Sequence, residues 1–139
     1  MSFREKSAWV CMVGLLAVYG YYFVDSGFRI RDTTSGDAFM MTQLGLMISI
    51  VVVMIVGHII AAVSSPKGAD AQCDERDVLI AAKAGALGGN IAIGGALLAA
   101  ATAFRGANGV EVGNWVILAV VVGELVRYGM QIAKYRHWL

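Results

Sequence analysis

A chain of 139 residues is long enough for one domain. Hydrophobic residues make up 58% of it and Asp, Glu, Lys and Arg only 15%, against roughly 25% charged in soluble domains, which excludes a disordered chain, a coiled coil and most soluble folds. A formal charge of +1, a single proline and two cysteines exclude a bulk nucleic-acid footprint, a collagen-like chain and a disulfide-stapled one, and leave an integral membrane protein.

Four apolar runs follow in chain order. The first, Ala8 to Val24, has 17 residues without a formal charge, close to the roughly 20 that a helix needs to cross the hydrocarbon core. Arg4 and Lys6 ahead of it resemble the positive flank of a secretory signal. The run is longer than a usual signal core, however, and Tyr22-Phe23-Val24-Asp25 is no small-residue cleavage site, so an uncleaved helix is expected. The second run, Thr42 to Val63, is interrupted only by His58. The third, Val78 to Phe104, carries Lys83 near its start and Asn90 inside. The fourth, Val112 to about Met130, contains Glu124 and Arg127. Segments such as Ile48 to Val56 do not alternate apolar and polar residues, so they read as helices and not barrel strands. The expected fold is all-α: a four-transmembrane-helix bundle making one integral membrane domain over residues 1–139, with helices near 8–24, 42–63, 78–104 and 112–130.

Basic residues orient the spans. Arg4, Lys6, Lys67, Arg76, Lys83, Arg127, Lys134 and Arg136 fall on one side, and Arg29, Arg31 and Arg105 on the other. The positive-inside rule then puts both termini in the cytoplasm. Trp9, Tyr128, Tyr135 and Trp138 suit an aromatic belt inside, and Tyr19, Tyr21, Tyr22, Phe104 and Trp115 one outside. Neither Cys11 nor Cys73 then faces an oxidising compartment, so no disulfide is expected.

The two halves share an outline, since each enters from a charged cluster, goes out on one helix and returns on another. Aligning Gly57 with Gly123 sets His58 opposite Glu124. Parallel repeats of this kind build some transporters, but the shared run of Val and Gly is short and low in complexity.

Asp74-Glu75-Arg76-Asp77 is the most distinctive cluster. Asp74 suits an N-cap and Asp77 the third helical position, where carboxylates meet free backbone amides and complement the helix dipole. Arg76, Ile80 and Lys83 fall on one helix face, a basic stripe suited to anionic lipid headgroups or an acidic partner. The stretch from Asp74 to Ala84 resembles the signature of a family of small uncharacterised bacterial inner-membrane proteins with four helices and an Asp-Glu-Arg-Asp motif entering the third. That resemblance implies a bacterial inner membrane and no particular activity. The chain departs from it after Lys83, where Gly85-Ala86-Leu87-Gly88-Gly89 is rich in small residues.

Gly85, Gly88, Gly89, Ala92 and Ala96 mark a small-residue helix face, with Gly85 and Gly89 as a GxxxG. Such faces let helices approach closely in lipid, within the chain or between copies. The sharper alternative is a helix broken at Gly88-Gly89-Asn90 and Gly94-Gly95, with Asn90 bonding a substrate instead of a neighbouring helix. Glu124 and Arg127 stand three residues apart and can pair; Lys83 is a second candidate partner for Glu124. Ionisable residues inside a membrane are costly and functional by default. His58 can titrate near neutral pH or serve as a packed hydrogen-bonding residue.

His58 and His137 are too few for a haem bundle, Cys11 and Cys73 form no Cys-x-x-Cys, and no nucleotide-binding, zinc-protease or hydrolase motif occurs. No enzyme activity, cofactor or metal is therefore expected. Two readings stand. One is a non-enzymatic membrane protein that works by helix packing and association with a protein partner, lipid or its own copies, as a regulator or accessory subunit. The other is a small oligomeric transporter or channel with Glu124 and His58 in a proton or cation path.

Overall fold

The computed structural model describes residues 3–29, 35–64 and 74–136, without the side chain of Arg29. Arg31, Lys67, Cys73, His137 and Trp138 lie outside the described residues. Four helices run through it: α1 (Phe3–Asp25), α2 (Gly36–Val63), α3 (Glu75–Ala101, continued by a 3-10 turn Thr102–Arg105) and α4 (Gly109–Tyr135). All four are long and apolar enough to cross a membrane, and there is no strand among the described residues. This is the architecture of a multi-pass membrane protein.

Each helix begins ahead of its apolar run, because the polar residues that precede it continue the helical ladder. α2 begins at Ser35, whose side chain accepts the Ala38 amide at 3.2 Å. α4 begins in a capping box: Asn108 accepts the Glu111 amide at 2.9 Å while Glu111 accepts the Asn108 amide at 3.3 Å. Gly106, at φ +90°, makes the left-handed turn that ends α3. α1 is not uniform, since a π turn at Leu16–Gly20 separates two α-helical parts.

Successive helices are antiparallel, and α1 lies between α2 and α4 while α4 packs along α3. The α3–α4 contact is a close approach of backbones. A methyl group added at Gly88 would meet the Gly123 carbonyl oxygen at 2.5 Å and Arg127 Cβ at 2.7 Å. One at Gly95 would meet Ala119 Cβ at 2.7 Å. In α1–α2, Gly57 receives the side chain of Val10, and Gly14 sits against Val53. Small side chains such as Ala8, Ala61, Ala84 and Ala99 are buried beside a few large ones, Tyr22, Phe23, Ile80 and Ile132, while Ile48, Ile55, Leu97 and Leu98 are exposed. Of the α2 residues only Ala61 is buried. An apolar exterior, with glycine and alanine at the closest helix contacts, suits helices held by van der Waals packing in lipid.

Candidate functional site

The polar side chains of the bundle gather in three layers. The first stitches the end where both termini lie. Arg136 of α4 donates to Glu5 of α1 at 2.7 Å, and Glu5 is buried there. Arg4 pairs with Asp77 of α3 at 2.9 Å. Lys6 reaches the Ser64 carbonyl at 3.2 Å at the end of α2. All four helices are thus tied at one end by side chains from the first three charged positions of the chain.

The second layer lies deeper, on α1, α2 and α4. His58 Nδ1 is 2.7 Å from the Met54 carbonyl oxygen. A carbonyl can only accept, so Nδ1 carries the hydrogen, and Nε2 is hydrogen-bonded to Ser7 Oγ at 2.8 Å. The Cys11 sulfur is 3.9 Å from the same Nε2. On its other side Cys11 interacts with Tyr128 and lies within electrostatic reach of Glu124 and Arg127. Glu124 and Arg127 pair at 3.3 Å, and Arg127 stacks its guanidinium over the Tyr128 ring. His58 and Glu124 therefore belong to one neighbourhood, joined through Cys11 and Tyr128 instead of by direct contact.

The third layer is at the far end. Tyr22 donates to Asn114 Oδ1 at 2.8 Å, and Asn114 Nδ2 donates to the Gly27 carbonyl at 2.9 Å. Gln43 lies beside Tyr22, with its Nε2 buried and unbonded. Phe23, Phe28 and Trp115 close this end as an aromatic cluster. Tyr22 is therefore a buried bridging residue and not part of an outer belt, because α4 brings the Asn114 amide to its hydroxyl. Residue type did not mark this layer as a cluster. The available signal was that Gln43 and Asn114 both interrupt the starts of apolar runs that begin at the same end.

Several sequence-based expectations change. Asp74 takes the backbone position of an N-cap, but its side chain bonds no amide of α3. Asp77 is drawn to Arg4 instead, since an opposite charge on a neighbouring helix outcompetes local capping. Glu75, Arg76 and Lys83 are exposed while Ile80 is buried, so the basic stripe is split by the α3 packing face. Lys83 is not the partner of Glu124. Gly85 and Gly89 have open space around them, and the close approach belongs to Gly88, with Ala92 against Gly123. Ala96 is half-buried. α3 is continuous through Gly88-Gly89-Asn90 and Gly94-Gly95. Asn90 is exposed on the outside of α3.

Two apolar grooves accompany these layers. One, of about 380 Å³, lies between α3 and α4 against Gly95, Ala99, Trp115 and Ala119. The other, of about 350 Å³, lies between α1 and α2 against Trp9, Gly14 and Val53. Their linings suit acyl chains better than polar solutes. Among the described residues, no group of three His, Cys, Asp or Glu side chains is placed to hold a metal ion. No protein-family model, curated protein or solved structure matches the chain.

Proposed function

We propose that this is a non-enzymatic membrane protein of a bacterial inner membrane that works by association, as a regulator or accessory subunit. It is a preassembled bundle, with both termini in the cytoplasm, that offers a helix face to a partner. One observation carries the reading. Asn90 stands at the middle of the 75–105 helix, faces away from the bundle and has no hydrogen bond among the described residues. Hydrocarbon supplies neither donors nor acceptors, so an amide at that depth is stabilised by meeting another polar group. The other polar groups of the spans largely satisfy one another inside the chain, which supports a scaffold. Lys83, exposed on the same side of α3, reaches towards anionic headgroups at the charged end. The test is a photoreactive side chain at position 90 in native membranes, compared with one at the outward-facing Val51 of α2. A protein adduct at 90 and lipid adducts at 51 are expected. Lipid adducts alone at both positions would end the reading.

A second reading has its own support. Ser7, His58, Cys11 and Tyr128 follow one another across three helices, and Glu124 stands one turn from Tyr128 on α4, an arrangement suited to passing protons in a transporter or channel. Purified protein in vesicles should then carry a pH-dependent flux that His58→Ala and Glu124→Gln abolish with the fold intact. Flux equal in those variants and the native protein would remove this reading.

A further inference from the structure

We infer that the partner at Asn90 is a second copy of this chain, bound in parallel through the outer face of α3. This rests on the association reading and names its occupant. On α3 the side turned to α4 is already spent, as Ile80, Ala84, Gly88, Gly95 and Ala99 face the bundle. On the opposite side Leu79, Lys83, Ala86, Asn90, Ile93 and Leu97 are all exposed. They follow one another at alternating spacings of four and three. That is the seam of two helices that cross at a shallow left-handed angle and interlock side chains. Gly89 and Gly94 flank the seam with open space where a side chain would stand, so a second helix can come close.

A second copy fits this seam for a reason of symmetry. Copies inserted the same way and related by a two-fold axis along the membrane normal set each seam residue against its own counterpart. An amide carries both donors and an acceptor, so Asn90 is complementary to Asn90 of another copy. A lipid tail offers it nothing, and a different protein would have to bring a polar group to the same depth. A single Asn within an apolar seam also sets register. Lys83 does not oppose the arrangement. It lies about 10 Å along the helix from Asn90, towards the charged end, where its ammonium reaches anionic headgroups instead of its counterpart.

The experiment uses the full chain in phospholipid vesicles, in a Cys11→Ala, Cys73→Ala background. Single cysteines replacing Ala86, Ile93 and Leu97 should form intermolecular disulfides, and those replacing Val78 and Leu98, off the seam, should form few. Energy transfer between labelled copies should show that Asn90→Leu weakens dimerisation about three- to tenfold, while Asn90→Gln retains most of it and Gly94→Leu also weakens it. Asn90 bonds nothing within the chain, so helical content should be unchanged. If a position-90 variant fails to accumulate, the cysteine pattern decides by itself. Disulfides spread without regard to the seam, or equal dimerisation in Asn90→Leu, would overturn the inference. A monomeric chain in vesicles whose position 90 still crosslinks to a different protein in native membranes would also overturn it and leave the association reading standing. A monomer with no protein adduct at 90 would remove both.

Discussion

Asn114 uses both ends of its amide and is 2% exposed, so its neighbours have no alternative partner in water. Replacing it with Leu strands the Gly27 carbonyl and leaves Gln43 as the polar neighbour of the Tyr22 hydroxyl. Each buried polar group left unpaired costs about 1–3 kcal/mol, so Asn114→Leu should lower the thermal midpoint in detergent clearly. Tyr22→Phe should lower it less, because it deprives Asn114 of one donor and strands nothing else. The double variant should lose less than the sum, since both act on one bond. An additive double variant would show that the two residues are not coupled. Glu124→Gln acts through charge. It leaves Arg127 without its counter-charge inside a span, and Arg127 Nε is already buried without a bond. The thermal midpoint in detergent should therefore fall. An unchanged midpoint together with unchanged accumulation would remove the structural role of the pair.

At the scale of the helix, α3 poses a choice between neighbouring glycines. Gly88→Ala would push a methyl group into the Gly123 carbonyl and the Arg127 stem, which cannot be relieved by turning a flexible side-chain tip. Overpacking of this kind costs typically ~1–3 kcal/mol, so α3 and α4 should separate and the thermal midpoint fall. Gly85→Ala and Gly89→Ala meet open space and replace the more flexible residue within a helix. Their bundles should be as stable as the native one or slightly more so. Thermal melts of the three variants check this, and a midpoint lowered equally by Gly85→Ala would contradict the assignment of the contact to Gly88. Gly89→Ala has a second use, since it leaves the bundle alone and adds bulk beside the proposed seam.

For the whole molecule, the ties from Arg4, Glu5 and Lys6 to Asp77, Arg136 and Ser64 gather both termini at one end. The positive-inside rule predicts that this end, with its excess of basic residues, faces the cytoplasm. A fluorescent reporter joined after Leu139, and another joined before Met1, should both be active in the cytoplasm. A reporter after Leu139 active only in the periplasm would reverse the orientation. The Arg4–Asp77 tie is partly exposed and contributes at most about 1 kcal/mol, whereas Glu5 is buried under Arg136. The larger effect of the ties is to hold the helix ends in one register.

Hydropathy is sufficient to find the four helices, because a lipid interior accepts only long apolar segments whose backbone groups bond internally. Local spacing is sufficient for Glu124 and Arg127, which meet within one turn of the same helix. The packing face of α3 is another matter. Small residues at 85, 88, 89, 92, 94, 95 and 96 surround the helix, so composition points in no one direction. The choice of Gly88 and Gly95 was made by Gly123 and Ala119, their complements on a later helix. Likewise His58 and Glu124 are joined only because α1 inserts between α2 and α4 and carries Cys11 to their boundary. Lipid solvates every apolar helix face about equally, so hydropathy carries no record of which faces meet. That order follows from shape complementarity and a few polar contacts between residues far apart in the chain, and it exists only once the helices are assembled.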